Sequence, residues 1–275
     1  MFDGGSGMIP TAKNRKGFLD NGDMDYIRFG RGEKVLILLP GLGDGLTTVK
    51  GTALPMALMY RVFSKDYTVY MFSRINDLPV GYTTRDMARD QAGAMDALGI
   101  EKADVLGVSM GGMIAQFLAI DFPEKVGKLV LTVTSARVNP VLEESVREWI
   151  ALAEKGDHVA FMDSNVKKIY SENYYRKNKW MIPVMGKLTK PKSYDRFFIQ
   201  ANACLSHDAF TLLSRIQAPT LVLGGEKDLA LGGEASREIA AEIPGAVLQM
   251  YERWGHGLYE EEKDFQQLVL DFLIG

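Results

Sequence analysis

The 275-residue chain has one cysteine, three histidines and only a small excess of negative charge. Because Cys204 has no partner within the chain, no intramolecular disulfide can form, which favours a reducing compartment, and the cytoplasm is the predicted location. Lys and Arg total 32 against 35 Asp and Glu, with both signs interspersed. This balance provides no basic field for a nucleic-acid backbone and no polybasic anchor for anionic lipid, so neither partner is predicted.

Long hydrophobic runs and export signals are also missing. The longest charge-free stretch, Val105–Ile120, contains three glycines, a serine and a glutamine, and it is shorter than the roughly 20 apolar residues of a membrane helix. The start of the chain, MFDGGSGMIPTAKNRKG, is polar and rich in glycine and lacks the apolar run of a signal peptide. The sequence therefore predicts a protein that neither spans a membrane nor is exported.

Apolar segments of strand length alternate with longer segments of helical period, which is typical of an α/β fold with a mostly parallel sheet and helices on both faces. Asn21-Gly22, inside residues 18–29, predicts an antiparallel hairpin at one edge of the sheet. The predicted strands are 35–39, 67–72, 104–108, 128–134, 220–223 and 247–252. The predicted helices include 47–63, 110–122, 234–243 and 260–273.

The alternation is interrupted between residues 138 and 207, where no buried strand is predicted and aromatic residues follow a helical period. A chain of this length allows one large domain with an insertion, since domains average roughly 150 residues. We therefore predict a core formed by residues 1–137 and 208–275, with residues 138–207 as an inserted helical cap.

A serine lies between a predicted strand and a predicted helix, in residues 107–112, which read GVSMGG. A serine hydroxyl is a poor nucleophile unless it projects clear of the backbone, next to a base and near donors for an oxyanion. Gly107 and Gly111 occupy the two positions where a side chain would collide in such a sharp turn. The pattern is also compatible with a turn used only for packing, but its context favours Ser109 as a nucleophile.

Among the three histidines, His256 follows the last core strand and lies between two glycines, which favours it as the general base over a packed core histidine. Asp228 ends a short loop after the strand at 220–223 and is the predicted orienting carboxylate, with Glu226 in reserve. The order serine, acid, histidine along the chain supports Asp228 over a merely solvated loop aspartate.

The first parallel strand runs into a glycine-rich loop at residues 40–45, which can turn backbone N–H groups towards Ser109. The predicted oxyanion donors are the N–H groups of Leu42 and Met110. A glycine-rich loop after a strand is also typical of dinucleotide binding, but G-x-G-x-x-G would need glycine at Leu46. No acidic residue ends the next strand, where Ser73-Arg74 stands. Since an arginine can bind the ribose phosphate of NADP, a site for NADP is the only dinucleotide alternative left open.

Other cofactor patterns are weaker still. Tyr175 and Lys179 have the spacing of a dehydrogenase Tyr/Lys pair but lie in a basic, aromatic helical stretch. No two histidines or cysteines have the spacing of metal ligands. The sequence therefore predicts neither a cofactor nor a metal.

GVSMGG, GGEKD and WGHG, in this order on alternating strands, resemble the motifs of the α/β-hydrolase fold superfamily over essentially the whole chain. The resemblance implies an eight-stranded sheet with a lid after the sixth strand, and it is most similar to small capped esterases, lactonases and carbon–carbon hydrolases. It also implies that Ser109 is the nucleophile, His256 the base and Asp228 the acid, with Leu42 and Met110 forming the oxyanion hole.

We therefore predict a serine hydrolase, similar to carboxylesterases, that acts on a small carboxylic ester, lactone or thioester. Two alternatives stay open: a carbon–carbon or amide hydrolase of the same fold, and a non-enzymatic ligand sensor that keeps the triad. One departure from relatives is Pro40, where they commonly carry histidine. Proline has no N–H and a fixed φ, so it affects the rigidity of the oxyanion loop more than the donor at Leu42.

Overall fold

The computed structural model describes residues 11–275. Residues 1–10, which carry most of the segment used to predict the absence of an export signal, lie outside that range.

Eight strands form one mixed sheet in the order β1-β2-β4-β3-β5-β6-β7-β8. The β1–β2 hairpin forms one edge and is antiparallel, as is the pairing of β2 with β4, and all other neighbours are parallel. The strands are β1 (Lys13–Leu19), β2 (Gly22–Gly30), β3 (Lys34–Leu39), β4 (Tyr67–Ile75), β5 (Ala103–Val108), β6 (Val126–Thr132), β7 (Thr220–Gly225) and β8 (Val247–Tyr251).

The α-helices connect these strands or follow the last one. They are α1 (Ala53–Met59), α2 (Thr84–Ala97), α3 (Met110–Asp121), α4 (Pro140–Glu154), α5 (His158–Ile169), α6 (Glu172–Asn178), α7 (Ile182–Leu188), α8 (Asp195–Leu205), α9 (Glu234–Glu242), α10 (Leu258–Glu261) and α11 (Phe265–Ile274).

Alternating residues of each central strand enter two different cores. In β3, Leu36 and Leu38 pack with residues of α1 and α11, whereas Ile37 and Leu39 pack with residues of α2 and α3. Successive side chains of a strand point to opposite faces, so the sheet is covered by helices on both sides. The predicted α/β class, with a mostly parallel sheet of eight strands, is confirmed.

Several predicted element bounds were wrong, among them the following three. The helix predicted from residue 47 begins only at Ala53, because Gly51 has φ +86° and cannot continue a right-handed helix. The strand predicted to reach residue 134 ends at Thr132, since Val133 has φ +43°. The closing helix predicted at 260–273 consists of α10 and α11, separated by residues 262–264.

The helices α4 to α8 all lie between β6 and β7, inside the segment for which the cap is predicted. The bounds of that cap as a separate unit, 138–207, stay a prediction. Among residues 11–275, no helix combines the length and the apolar character needed to cross a lipid bilayer.

Candidate active site

Ser109 occupies the sharp turn between β5 and α3. Its backbone has φ 55° and ψ −123°, a conformation that costs a residue with a side chain of order 1 to 3 kcal/mol and persists only where neighbours enforce it. Its N–H donates to the Thr132 carbonyl at 2.9 Å, and its own carbonyl accepts from Thr134 Oγ1 at 2.7 Å. These bonds to the neighbouring strand and its extension hold the serine at the carboxyl end of the sheet.

The glycines around Ser109 are required by close contacts of the backbone. A Cβ atom on Gly107 would lie 2.6 Å from the carbonyl oxygen of Gly111, and one on Gly111 would overlap the carbonyl oxygen of Leu39. Side chains at both positions are therefore excluded by α3 and β3, which is the collision that the sequence motif indicated.

Asp228 and His256 are in direct contact beside this turn. The Asp228 Oδ2 atom lies 2.8 Å from His256 Nδ1, while Oδ1 accepts hydrogen bonds from the N–H groups of Ala230 at 2.8 Å and Leu231 at 2.9 Å. Both side chains are buried. The carboxylate is thus oriented by the backbone and in turn orients the imidazole, leaving the other ring nitrogen for a different partner. The reserve candidate, Glu226, instead pairs with Arg237.

Ser109 and His256 line the same cavity, whose volume is about 380 Å³. Part of its lining is the loop of residues 40–49, and another part consists of side chains from the segment between β6 and β7. Those side chains are Trp149, Phe161, Met162, Asn165, Ile169, Tyr170 and Phe197. A mostly apolar cavity with a few convergent polar groups is the usual form of a small-molecule site.

Both predicted oxyanion donors begin a helical turn. Met110 is the first residue of α3, and Leu42 is the first residue of a 3₁₀ turn that ends at Gly45. The first N–H groups of a helix have no acceptor within it, so these two are available to a ligand. Leu42 also lines the cavity. The turn geometry therefore suits the role predicted for both residues.

A buried cluster of charges, which the sequence reasoning missed, supports the loop that contains Leu42. Arg74, the penultimate residue of β4, is buried, and its Nη2 atom donates to the Pro40 carbonyl at 2.7 Å. Asp44 Oδ2 accepts from Arg196 of α8 at 2.7 Å and from Gln200 at 3.2 Å. The side chains of Arg74 and Arg196 thus hold the loop at Pro40 and at Asp44.

These contacts also bear on the dinucleotide alternative. The guanidinium of Arg74 is enclosed and bonded to Pro40, and burial lowers its pKa. An arginine that receives a ribose phosphate must be accessible, so Arg74 is not suited to that task. In the sequence, the sign that could have indicated this buried charge cluster was Arg74 itself, a charged residue near the end of a mostly apolar strand.

The remaining polar residues singled out by sequence lie elsewhere. His158 contacts the Tyr194 hydroxyl at 2.8 Å, and His207 contacts Thr84 Oγ1 at 2.9 Å; both histidines are buried outside the cavity. Burial raises the pKa of the Cys204 thiol to about 12. Within residues 11–275, no group of three or more His, Cys, Asp or Glu side chains is placed to share a metal ion.

A comparison with protein-family models identifies the family of the chain. Residues 34–263 match the family model of the alpha/beta hydrolase fold, and the chain therefore belongs to this family.

Among curated proteins, the chain is 26% identical over 254 residues to a putative carbamate hydrolase RutD of Caulobacter segnis, covering 89% of this chain and 92% of that protein. It is 29% identical over 277 residues to a 2-hydroxy-6-oxo-6-phenylhexa-2,4-dienoate hydrolase of Burkholderia cepacia, covering 94% of each.

Solved structures show the same fold. An alpha/beta hydrolase enzyme from a Medee basin deep-sea metagenome library superposes with a TM-score of 0.82 at 22% identity, covering 95% of this chain and 98% of that chain. An enol-lactonase from Burkholderia xenovorans superposes with a TM-score of 0.79 at 22% identity, covering 95% of this chain and 100% of that chain.

Proposed function

We propose that the protein is a serine hydrolase that transfers an acyl group from a small, uncharged carboxylic ester, lactone or thioester to water. One observation carries the proposal: Ser109, on a strained turn, shares a cavity with His256, whose Nδ1 atom lies 2.8 Å from the buried carboxylate of Asp228. This combination of nucleophile, base and orienting acid activates a serine hydroxyl.

In the proposed reaction, His256 takes the Ser109 proton as Oγ attacks the substrate carbonyl. Asp228 keeps the proton on Nδ1, so that Nε2 accepts, and it stabilises the imidazolium that forms. The N–H groups of Leu42 and Met110 stabilise the oxyanion, and the protonated His256 returns its proton to the leaving group. Water, deprotonated by His256, then attacks the acyl-enzyme, and His256 returns that proton to Ser109 Oγ as the bond to the acyl group breaks and the acid leaves.

The cavity walls support an uncharged substrate. No lysine or arginine lines the cavity, and its one carboxylate, Asp44, is already bonded to Arg196 and Gln200. A substrate carboxylate would therefore lose its hydration without gaining a cationic partner, which is costly in an apolar site. We expect neutral acyl esters to be hydrolysed at least about tenfold faster, in kcat/KM, than analogues with a terminal carboxylate.

A carbon–carbon or amide hydrolase is the second candidate, because the relatives at 26% and 29% identity are named a carbamate hydrolase and a dienoate hydrolase. The same three residues would act, but the scissile bond would differ. A panel of esters, lactones, amides and vinylogous diketones separates these reactions. Preference for the diketone or the amide over every ester would replace the ester proposal.

The primary test is intact-mass labelling with a fluorophosphonate, together with hydrolysis of p-nitrophenyl esters. Wild type should gain one adduct and hydrolyse short esters, whereas Ser109→Ala should do neither and lose turnover by about 10⁴-fold or more. Ser193→Ala, which changes an exposed serine, is the matched control and should behave as wild type. Labelling without turnover would favour a ligand sensor, and a folded wild type that does neither would refute the proposal.

A further inference from the structure

The short helix α7 presents an apolar row to solvent. Trp180, Val184 and Leu188 are spaced four residues apart in the continuous helical stretch 179–188, and they are 72%, 58% and 75% exposed. Ile182 and Gly186, on the opposite side, are buried and hold the helix to the molecule. Residues four apart lie along one side of a helix, so the exposed row is a ridge that points away from the protein.

The ridge is wider than a single row. Met181 and Met185 flank it and are also exposed. We define the α7 ridge as Trp180, Met181, Val184, Met185 and Leu188. Scattered exposed apolar side chains are ordinary, but five of them within α7 and the 3₁₀ turn of residues 179–181 that precedes it favour an interaction surface.

The segment that contains the ridge carries several cations and no carboxylate of its own. Residues 173–194 contain no Asp or Glu, and none of their cations forms an ion pair with a carboxylate of residues 11–275. These cations, all exposed, are Arg176, Lys177, Lys179, Lys187, Lys190 and Lys192. The net charge of −3 for the whole chain, which led us to predict no lipid partner, conceals this local excess of positive charge.

We propose that this segment is a docking surface for an anionic lipid bilayer, with the α7 ridge inserted among the headgroups and acyl chains and the cations against the lipid phosphates. An apolar helix face with Trp and Leu, flanked by Lys and Arg, is the arrangement that binds in the plane of such an interface. Each cation near an anionic leaflet adds attraction that salt screens.

Two other occupants fit the surface less well. A second copy of the chain in a two-fold contact would place the same patch on both subunits, so its unpaired cations would face one another. A protein that binds an apolar helix usually provides or receives a groove, whereas α7 is a convex ridge held by its opposite side. The observed charge and shape therefore favour a lipid surface.

The docking surface adjoins the candidate active site. Tyr174 of α6 stacks on Tyr170, with ring centroids 4.2 Å apart, and Tyr170 lines the cavity that contains Ser109. If the proposed function holds, this contact links the docking segment to the wall of the cavity and favours substrates that partition into lipid. Binding to vesicles requires only the surface, so it can be tested separately from catalysis.

The first experiment measures sedimentation of Ser109→Ala with vesicles of phosphatidylcholine, with and without phosphatidylglycerol. This variant avoids any hydrolysis of lipid. We expect binding to the vesicles that contain phosphatidylglycerol and at least about tenfold weaker binding to pure phosphatidylcholine. Raising the salt from about 0.1 M to about 1 M shortens the screening length from about 10 Å to about 3 Å and should remove most of the binding.

Variants then separate the ridge from its cations. In the same background, Trp180→Ser with Leu188→Ser should weaken binding about tenfold or more, whereas Val80→Ser, at a loop residue that is 95% exposed, should not.

Lys187→Glu with Lys192→Glu should abolish the preference for anionic over neutral vesicles. Lys65→Glu with Lys102→Glu is the charge-matched control, because both lysines are exposed at the amino ends of β4 and β5, away from the cavity.

Three results would overturn the inference. The protein could bind neither kind of vesicle, or it could bind both equally. In the third, each control variant would bind the anionic vesicles no better than the ridge or lysine variant that it is matched to. Association of the protein with itself that the ridge variants abolish would assign the surface to a second copy instead. The ridge variants, made in wild type, should keep normal hydrolysis of short soluble esters, which verifies their fold. If wild type does not hydrolyse esters, the proposed function is refuted, but the vesicle result stays valid.

Discussion

The buried His207 allows a quantitative prediction of how the free energy of unfolding depends on pH. Its ring is buried, with Nδ1 2.9 Å from Thr84 Oγ1 and the ring edge-on to Phe117. Burial lowers its pKa from 6.5 to about 3. Between these pH values the unfolded chain binds a proton that the folded protein does not, so the free energy of unfolding falls as pH falls.

The expected size follows from the two pKa values. Lowering the pH from about 7 to about 5 protonates His207 in the unfolded chain and leaves it neutral in the folded protein, which removes about 2 kcal/mol of stability, or about a 25-fold change in the unfolding equilibrium. Urea titrations at both pH values measure this loss. His207→Gln should lower stability at pH 7 but lose about 2 kcal/mol less on acidification than wild type.

Thr84→Ala is the control, since it removes the hydroxyl partner and keeps the buried imidazole, and it should retain the pH dependence of wild type. Carboxylates contribute equally to all three proteins and cancel in the comparison. If wild type and His207→Gln lose the same stability between the two pH values, His207 is not a buried neutral base in solution.

Two further predictions concern the candidate site. Asp228→Asn should keep the fold but reduce kcat for esters by about 10³- to 10⁴-fold. Its amide oxygen would face the two backbone donors, so its NH₂ group, which cannot accept the hydrogen bond from His256 Nδ1–H, would face the imidazole. Unchanged kcat in steady-state assays would contradict that role. Gly111→Ala should destabilise the protein by more than about 4 kcal/mol in denaturant titrations, since the new Cβ would overlap a β3 carbonyl. Gly43→Ala, where a Cβ meets nothing within 4 Å, should be nearly neutral, and equal losses would refute the steric argument.

The parts of the site that sequence could predict are those whose constraints are local. Gly107 and Gly111 are needed because the strand and helix backbones meet at one sharp turn. Because both glycines lie within two residues of Ser109, a short sequence motif is enough to predict them. Asp228 could be placed because carboxyl ends of parallel strands share one edge of a sheet. Its contact with His256 in the structure agrees with that reasoning.

The parts that sequence could not predict depend on residues far apart along the chain. Arg196 lies 152 positions from the carboxylate of Asp44 that it contacts, and nothing in either neighbourhood indicates the pairing. Element ends were also missed where a single backbone angle decides them. The left-handed conformation of Val133 ends β6 early, and a β-branched residue gives no sign of that conformation in sequence.

The buried contacts of Arg196 have a consequence for exchanging parts between relatives. Arg196 bonds to Asp44 and to backbone carbonyls of residues 44, 74, 75 and 76, and so joins α8 to two strand-end segments of the core. A chimaera that receives residues 138–207 from a relative without this arginine would lose the 2.7 Å contact of Asp44 with Arg196. Among residues 11–275, the buried carboxylate would then keep only Arg74 Nη1, 4.0 Å away, as its cation. We therefore expect a transplant of the inserted helices to require matching residues in the loop after β3 and at the carboxyl end of β4, because that is where the partners of Arg196 lie.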